Sequence, residues 1–216
     1  MRRAVSGKHL NERLLTELGL SHNAIAGAVS ETYNLLDRID ETLEGAGVFP
    51  LSQTVELANL SSMIGNLFGA AIAQHSNGLY RRNGPHKYPD LLSNKPTLYP
   101  NIEIKMALEA NKPKGHLAKP GQYITCRYVL CGKGGSFTFD KSNRGVTPYI
   151  WELRCGYLEE SHFNISNTEG DSGKTAVVNA DGMKALKVIY VDLDRAPLAK
   201  RGRIYADYAA LVVKGS

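Results

Sequence analysis

Tyr88-Pro89-Asp90 and, beyond a gap running from Leu91 to Pro100, Asn101-Ile102-Glu103-Ile104-Lys105 form the stretch on which the fold turns. Side chains on a strand alternate between faces. Glu103 and Lys105 therefore project one way, while Ile102, Ile104, Met106 and Leu108 form an apolar face on the other. The gap carries Asn94, Pro96 and Pro100, which are turn and strand-breaking signals. A hairpin that brings Asp90 alongside Glu103 and Lys105 is the simplest arrangement. Two adjacent carboxylates suit Mg²⁺, a hard cation that takes oxygen ligands. A lysine beside them suits orienting a water or stabilising charge that develops on phosphorus. That set of parts fits phosphodiester hydrolysis. The plainer alternative is a turn-capping Asp90 and an exposed cross-strand ion pair between Glu103 and Lys105.

Upstream of this stretch the periodicity is helical. Leu10, Leu14, Leu15 and Leu18 predict a short helix over Ser6–Gly19. Ser21 is an N-cap for a second helix that runs to about Glu44 and stops at Gly45-Ala46-Gly47. Within it, Asp37, Asp40, Glu41 and Glu44 read as a solvated surface. A third helix, from Ser52 or Gln53 to Gln74, is apolar almost all round and so predicted to be buried. Its small residues over Gly65–Ala71, with the second helix, are candidates for a subunit interface. Downstream, strands are expected at His86–Leu92, Ile102–Leu108, Tyr123–Cys131, Tyr149–Leu158 and Leu186–Leu193. Ile204–Val213 fits either helix or strand. Ser136–Phe139 could form a small hairpin, and Asn164–Asp181 reads as a loop around a short element.

The chain has 216 residues, of which 43% are hydrophobic, enough for one domain with a substantial core. A helical region over 1–80 would precede a sheet-rich core over 81–216. No run approaches a membrane helix, and Met1-Arg2-Arg3 does not open a secretory signal, so a cytoplasmic location is expected. Cys126, Cys131 and Cys155 lack metal-knuckle spacing and read as buried thiols. The net charge is +5. The surplus is local: Lys112, Lys114, Lys119, Arg127, Lys133, Lys141 and Arg144 stand against Asp140 alone, directly after the Glu-x-Lys strand.

Pro89-Asp90 with Glu103-Ile104-Lys105 resembles the signature of the PD-(D/E)XK nuclease superfamily. The resemblance covers about twenty residues and matches every signature residue type. It implies an α/β fold of restriction-endonuclease-like form, a mixed central β-sheet flanked by helices with a helical N-terminal region. It further implies a Mg²⁺-dependent endonuclease on double-stranded DNA, most like a homodimeric type II restriction enzyme leaving 5′-phosphate and 3′-hydroxyl ends. Asp90, Glu103 and the Ile104 carbonyl would hold the metal, and Lys105 would position or help deprotonate the attacking water. Several nucleases of the superfamily add a glutamate from a preceding helix. Glu56 is the position that could match, although first-turn helix electrostatics alone also account for an acid there. A shape-reading repair nuclease or junction resolvase, or a non-catalytic DNA binder on the same fold, are the alternatives.

DNA contacts are expected from the basic loop holding Lys112, Lys114, His116 and Lys119, from Tyr123 and Arg127 on the following strand, and from Lys141, Asn143 and Arg144 beyond it. Gly170–Thr175 only partly matches a phosphate-binding loop, since Thr168 stands where its first glycine belongs. Asp192 and Asp194 are the rival metal pair, with Arg195 available to bind Asp194.

Overall fold

Strand β4 (Ile102–Leu108) is the organising element of the computed structural model, which describes residues 3–115, 117–166 and 175–214. Its only parallel neighbour is β6 (Gly121–Cys131), in the register Glu103↔Tyr123, Lys105↔Thr125 and Ala107↔Arg127. On its other edge it meets β3 (Leu91–Ser93), antiparallel, through Leu91↔Ile102, and β3 pairs with β2 (Tyr80–Arg82). Beyond β6 lie β7 (Thr147–Leu158), β10 (Lys187–Val191) and β1 (Lys8–His9), all antiparallel. The protein is thus mixed α/β, with a central seven-stranded sheet ordered β1-β10-β7-β6-β4-β3-β2. A second sheet holds β5 (Lys114–Gly115), β9 (Thr175–Val178) and β8 (Phe163–Ser166), in the order β5-β9-β8.

The apolar face of β4 packs where its alternation predicts, under α2 (His22–Gly45) and α4 (Leu57–His75). Leu36, Leu60, Ile64 and Tyr128 form a buried cluster there with Met106 and Leu108 against it. Ser21 caps α2 as expected, its hydroxyl accepting from the Ala24 N–H at 3.1 Å. Removing that acceptor costs about 1 kcal/mol. Ser21→Ala should therefore lower Tm by roughly 3 °C in a thermal melt.

Several expectations are corrected. Ser6–Gly19 is not one helix: Lys8–His9 joins the sheet edge and only α1 (Glu12–Glu17) is helical, because Leu10 donates its N–H to Ile189 O at 2.9 Å. The third helix is broken. A short α3 (Leu51–Thr54) ends at Val55, whose backbone is extended, and Glu56 then stands at the N-cap of α4. Asp37 is not solvated but buried in an ion pair with Arg3, while Asp40 binds Arg3 Nη2 at 2.6 Å and the Leu51 N–H at 2.9 Å. Small residues of α4 let the sheet approach closely. A Cβ on Gly65 would meet Met106 at 2.9 Å, one on Gly69 would meet Ile104 at 3.0 Å, and Ala71 is buried.

The first predicted strand begins later, at Leu91, and β2 was not anticipated. Ser136–Phe139 forms no hairpin. Ile204–Val213 lies within a helix, α6 (Arg203–Lys214). Cys126, Cys131 and Cys155 are free and buried, and burial pushes the Cys131 and Cys155 thiols up to about 12.

Candidate active site

The other face of β4 carries Glu103 and Lys105 beside Tyr123, Thr125 and Arg127 of β6. It is roofed by α5 (Ala180–Ala185), α6 and the small sheet. Tyr123, Leu158, Phe163, Ala176, Val178 and Leu186 are buried together on one side of this roof. Tyr208 of α6 packs on Trp151 at 5.7 Å and reaches Arg154 and Glu152.

The hairpin brings the three signature residues together. The Asn83 N–H donates to Asp90 O at 2.9 Å, continuing the β2–β3 ladder and holding the Asp90 backbone against the sheet. Asp90 Oδ2 then accepts the Ile104 N–H at 2.9 Å, where β3 has already ended. A strand residue turns its N–H and C=O to the same side, so the Ile104 carbonyl lies on the Asp90 edge of β4. Lys105 Nζ stands 3.4 Å from Glu103 Oε1, with both side chains largely covered at 7% and 16% exposure. The ammonium also lies 5.4 Å from the centre of the Tyr123 ring.

Glu103 is the electrostatically unusual member. Burial, and then the Asp90 carboxylate within hydrogen-bond reach, push its carboxyl up to about 7, against the opposing pull of Lys105. One lysine does not compensate two carboxylates in so covered a place. The donor set, two carboxylates and a backbone carbonyl, consists of the hard oxygens that Mg²⁺ takes. Among the described residues no group of three or more His, Cys, Asp or Glu side chains that could hold a metal ion occurs.

The raised Glu103 carboxyl sets a pH dependence. Between its ordinary 4.5 and about 7 the folded chain binds a proton that the unfolded chain has released. Stability from this group therefore falls as pH rises through that window and levels off above it, by at most about 1.4 kcal/mol per pH unit. Thermal melts in EDTA from pH 5 to pH 8 should show a Tm decline that Glu103→Gln removes. A variant with the same slope as the native chain would contradict this assignment.

Other expected site residues are placed elsewhere. Glu56 is exposed at the start of α4, on the opposite face of the sheet. Its helix runs so that Ser61, 2.7 Å from the Tyr128 hydroxyl, lies near the far end of β4, while Gly69 lies over Ile104. Tyr123 is fully buried, its hydroxyl donating to Lys119 O at 2.7 Å. Arg127 is buried and paired with Glu152 at 3.0 Å, leaving neither residue a surface for a duplex. Arg144 is bound to Glu109 at 3.0 Å, and Lys141 and Asn143 bound a single 3₁₀ turn. That segment adjoins Cys131, which lies eight residues along β6 from Tyr123, roughly 26 Å of strand.

Lys112 and Lys114 are exposed, whereas Lys119 Nζ sits 4.5 Å over the Tyr88 ring. His116 falls outside the described residues, as does most of the Gly170–Thr175 stretch. Asp192 is buried against Ser6 and Arg195, so Arg195 serves Asp192 and not Asp194, and Asp192 is already paired.

Four residues around the site were not anticipated. Exposed Arg81 and Lys87 flank the loop that delivers Asp90, a basic pair readable from Arg81-Arg82 and Lys87. Tyr88 reaches across to the next segment, donating to Pro120 O at 3.1 Å. Gly115 covers Lys105, and nothing in the local sequence signals that contact. Set against known proteins, the chain matches no family model and no curated sequence.

Proposed function

We propose that this chain is a Mg²⁺-dependent DNA endonuclease working from Asp90, Glu103 and Lys105 on a restriction-endonuclease-like core. The observation that carries the proposal is the convergence of two carboxylates, with Glu103 held near pH 7 for its proton, and an ammonium 3.4 Å away on one strand face. Asp90, Glu103 and the Ile104 carbonyl would hold the ion, which supplies Lewis-acid polarisation of the scissile phosphate.

The protein's own groups do the rest. Asp90 is oriented by its bond to Ile104, and its carboxylate acts on that of Glu103. Lys105 holds the attacking water or the phosphate oxygen that gains charge. The covered setting strengthens each of these interactions relative to water. Exposed Lys112, Lys114, Arg81 and Lys87 would supply phosphate contacts, which position a duplex without reading its sequence. A two-fold dimer would match a palindromic site. A second reading, a DNA-binding protein that cuts nothing, is favoured by the Glu103–Lys105 ion pair standing as a complete interaction by itself.

Digestion of a long mapped DNA in millimolar Mg²⁺ or in EDTA, beside Lys105→Ala, tests the proposal. Discrete Mg²⁺-dependent fragments that vanish in the variant are expected. A smear would replace sequence reading with shape reading. Tight binding indifferent to Mg²⁺, without cleavage, would give the second reading the field.

A further inference from the structure

Two glycines of the 114–121 segment meet side chains of the site where any larger residue would collide. A Cβ on Gly115 would lie 2.4 Å from Lys105 Nζ and 3.3 Å from Cε, and one on Gly121 would lie 2.4 Å from the Tyr88 hydroxyl. Strand β5 cannot retreat to make room at 115. It is laddered to β9 through Lys114↔Val177 and Gly115↔Ala176, and the Val178 N–H donates to Pro113 O at 3.0 Å. Ala176 and Val178 are in turn buried against Tyr123 and Leu158. The lysine is the yielding partner, being the far end of a flexible side chain held by Glu103 at 3.4 Å and lying near the Tyr123 ring.

We propose that Gly115 is a positioning residue: the missing side chain on β5 leaves the slot that holds the Lys105 ammonium against Glu103. The consequence for catalysis rests on the nuclease reading above, whereas the slot itself does not. A methyl group at 115 displaces the ammonium while the backbone stays in place. Misplacement of a reacting group by about 1 Å can cost up to a hundredfold in rate.

The test is a double-mutant cycle of Gly115→Ala and Lys105→Ala, read in Tm and in DNA cleavage, with Gly121→Ala as control. Gly115→Ala should lower Tm by roughly 2–4 °C in the native chain and leave it unchanged in the Lys105→Ala background. It should lower kcat roughly tenfold to a hundredfold with KM for DNA preserved, and remove nothing further from the residual rate of Lys105→Ala. The Gly121→Ala effect should be the same in both backgrounds, because its collision is with Tyr88. An equal Gly115→Ala cost with and without Lys105, or full kcat in Gly115→Ala, overturns the proposal. If Gly115→Ala alone does not fold, recovery of folding by adding Lys105→Ala supports the slot and failure to recover overturns it. Absence of cleavage by the native chain defeats the nuclease reading, and the Tm cycle still decides the slot.

Discussion

Asp90→Asn is expected to lower Mg²⁺-dependent cleavage by roughly 10²–10³-fold while leaving the fold intact. The amide keeps an oxygen to accept the Ile104 N–H, so the 2.9 Å bond that orients the side chain survives. What is lost is the negative charge facing Glu103. With that charge gone, the second-largest cause of the raised Glu103 carboxyl disappears, and Glu103 ionises at lower pH. The variant should consequently bind DNA at least as well as the native chain in EDTA, since a charge repelling phosphate has been removed. Single-turnover cleavage with saturating enzyme, beside filter binding in EDTA, separates the two effects. Cleavage within tenfold of the native rate would remove Asp90 from the reaction.

Glu152→Ala is expected to cost stability on the order of 3–5 kcal/mol. Glu152 is 1% exposed and accepts from Arg127 at 3.0 Å, from Arg154 at 2.6 Å and from the Tyr208 hydroxyl. Its removal leaves two covered guanidinium groups without their carboxylate. Arg127 retains only Asn111 O and a weak contact to Met183 sulfur, and Arg154 retains backbone oxygens and Tyr208. Urea unfolding monitored by the fluorescence of Trp151, which packs on Tyr208, reads the loss directly. A loss below about 1 kcal/mol would mean that the guanidiniums find water once Glu152 is gone.

The two variants probe different depths of one sheet face. Asp90, Glu103 and Lys105 occupy the β3-side end, where β3 stops after pairing Leu91 with Ile102 and leaves the Ile104 N–H to a side chain. Arg127, Glu152 and Arg154 continue the same face under α6, where these charged groups are paired and covered. Alternation along Tyr123, Thr125 and Arg127 looked the same as along Glu103 and Lys105. Both ends are covered, Lys105 and Arg127 alike at 7% exposure; the charge balance separates them, two carboxylates around one lysine at the first and one carboxylate between two guanidiniums at the second.

The alternation of Ile102 to Leu108, the turn residues between Asp90 and Asn101, and the Ser21 cap needed no knowledge of distant contacts. Each depends on strand or helix periodicity within a few residues, and each holds in the folded chain. The approach of Asp90 to β4 followed from the same local hairpin, whereas its bond to the Ile104 N–H was not read from the sequence.

Tertiary structure alone decided which charges are buried. Asp37 meets Arg3 across 34 positions, Arg127 meets Glu152 across 25, and Gly115 meets Lys105 through a strand laddered to β9. It also made Lys8–His9 a sheet edge and took Glu56 to the opposite face from Glu103. The physical reason is that burial and ion pairing depend on surfaces brought together from remote parts of the chain. Periodicity depends only on the backbone between near neighbours.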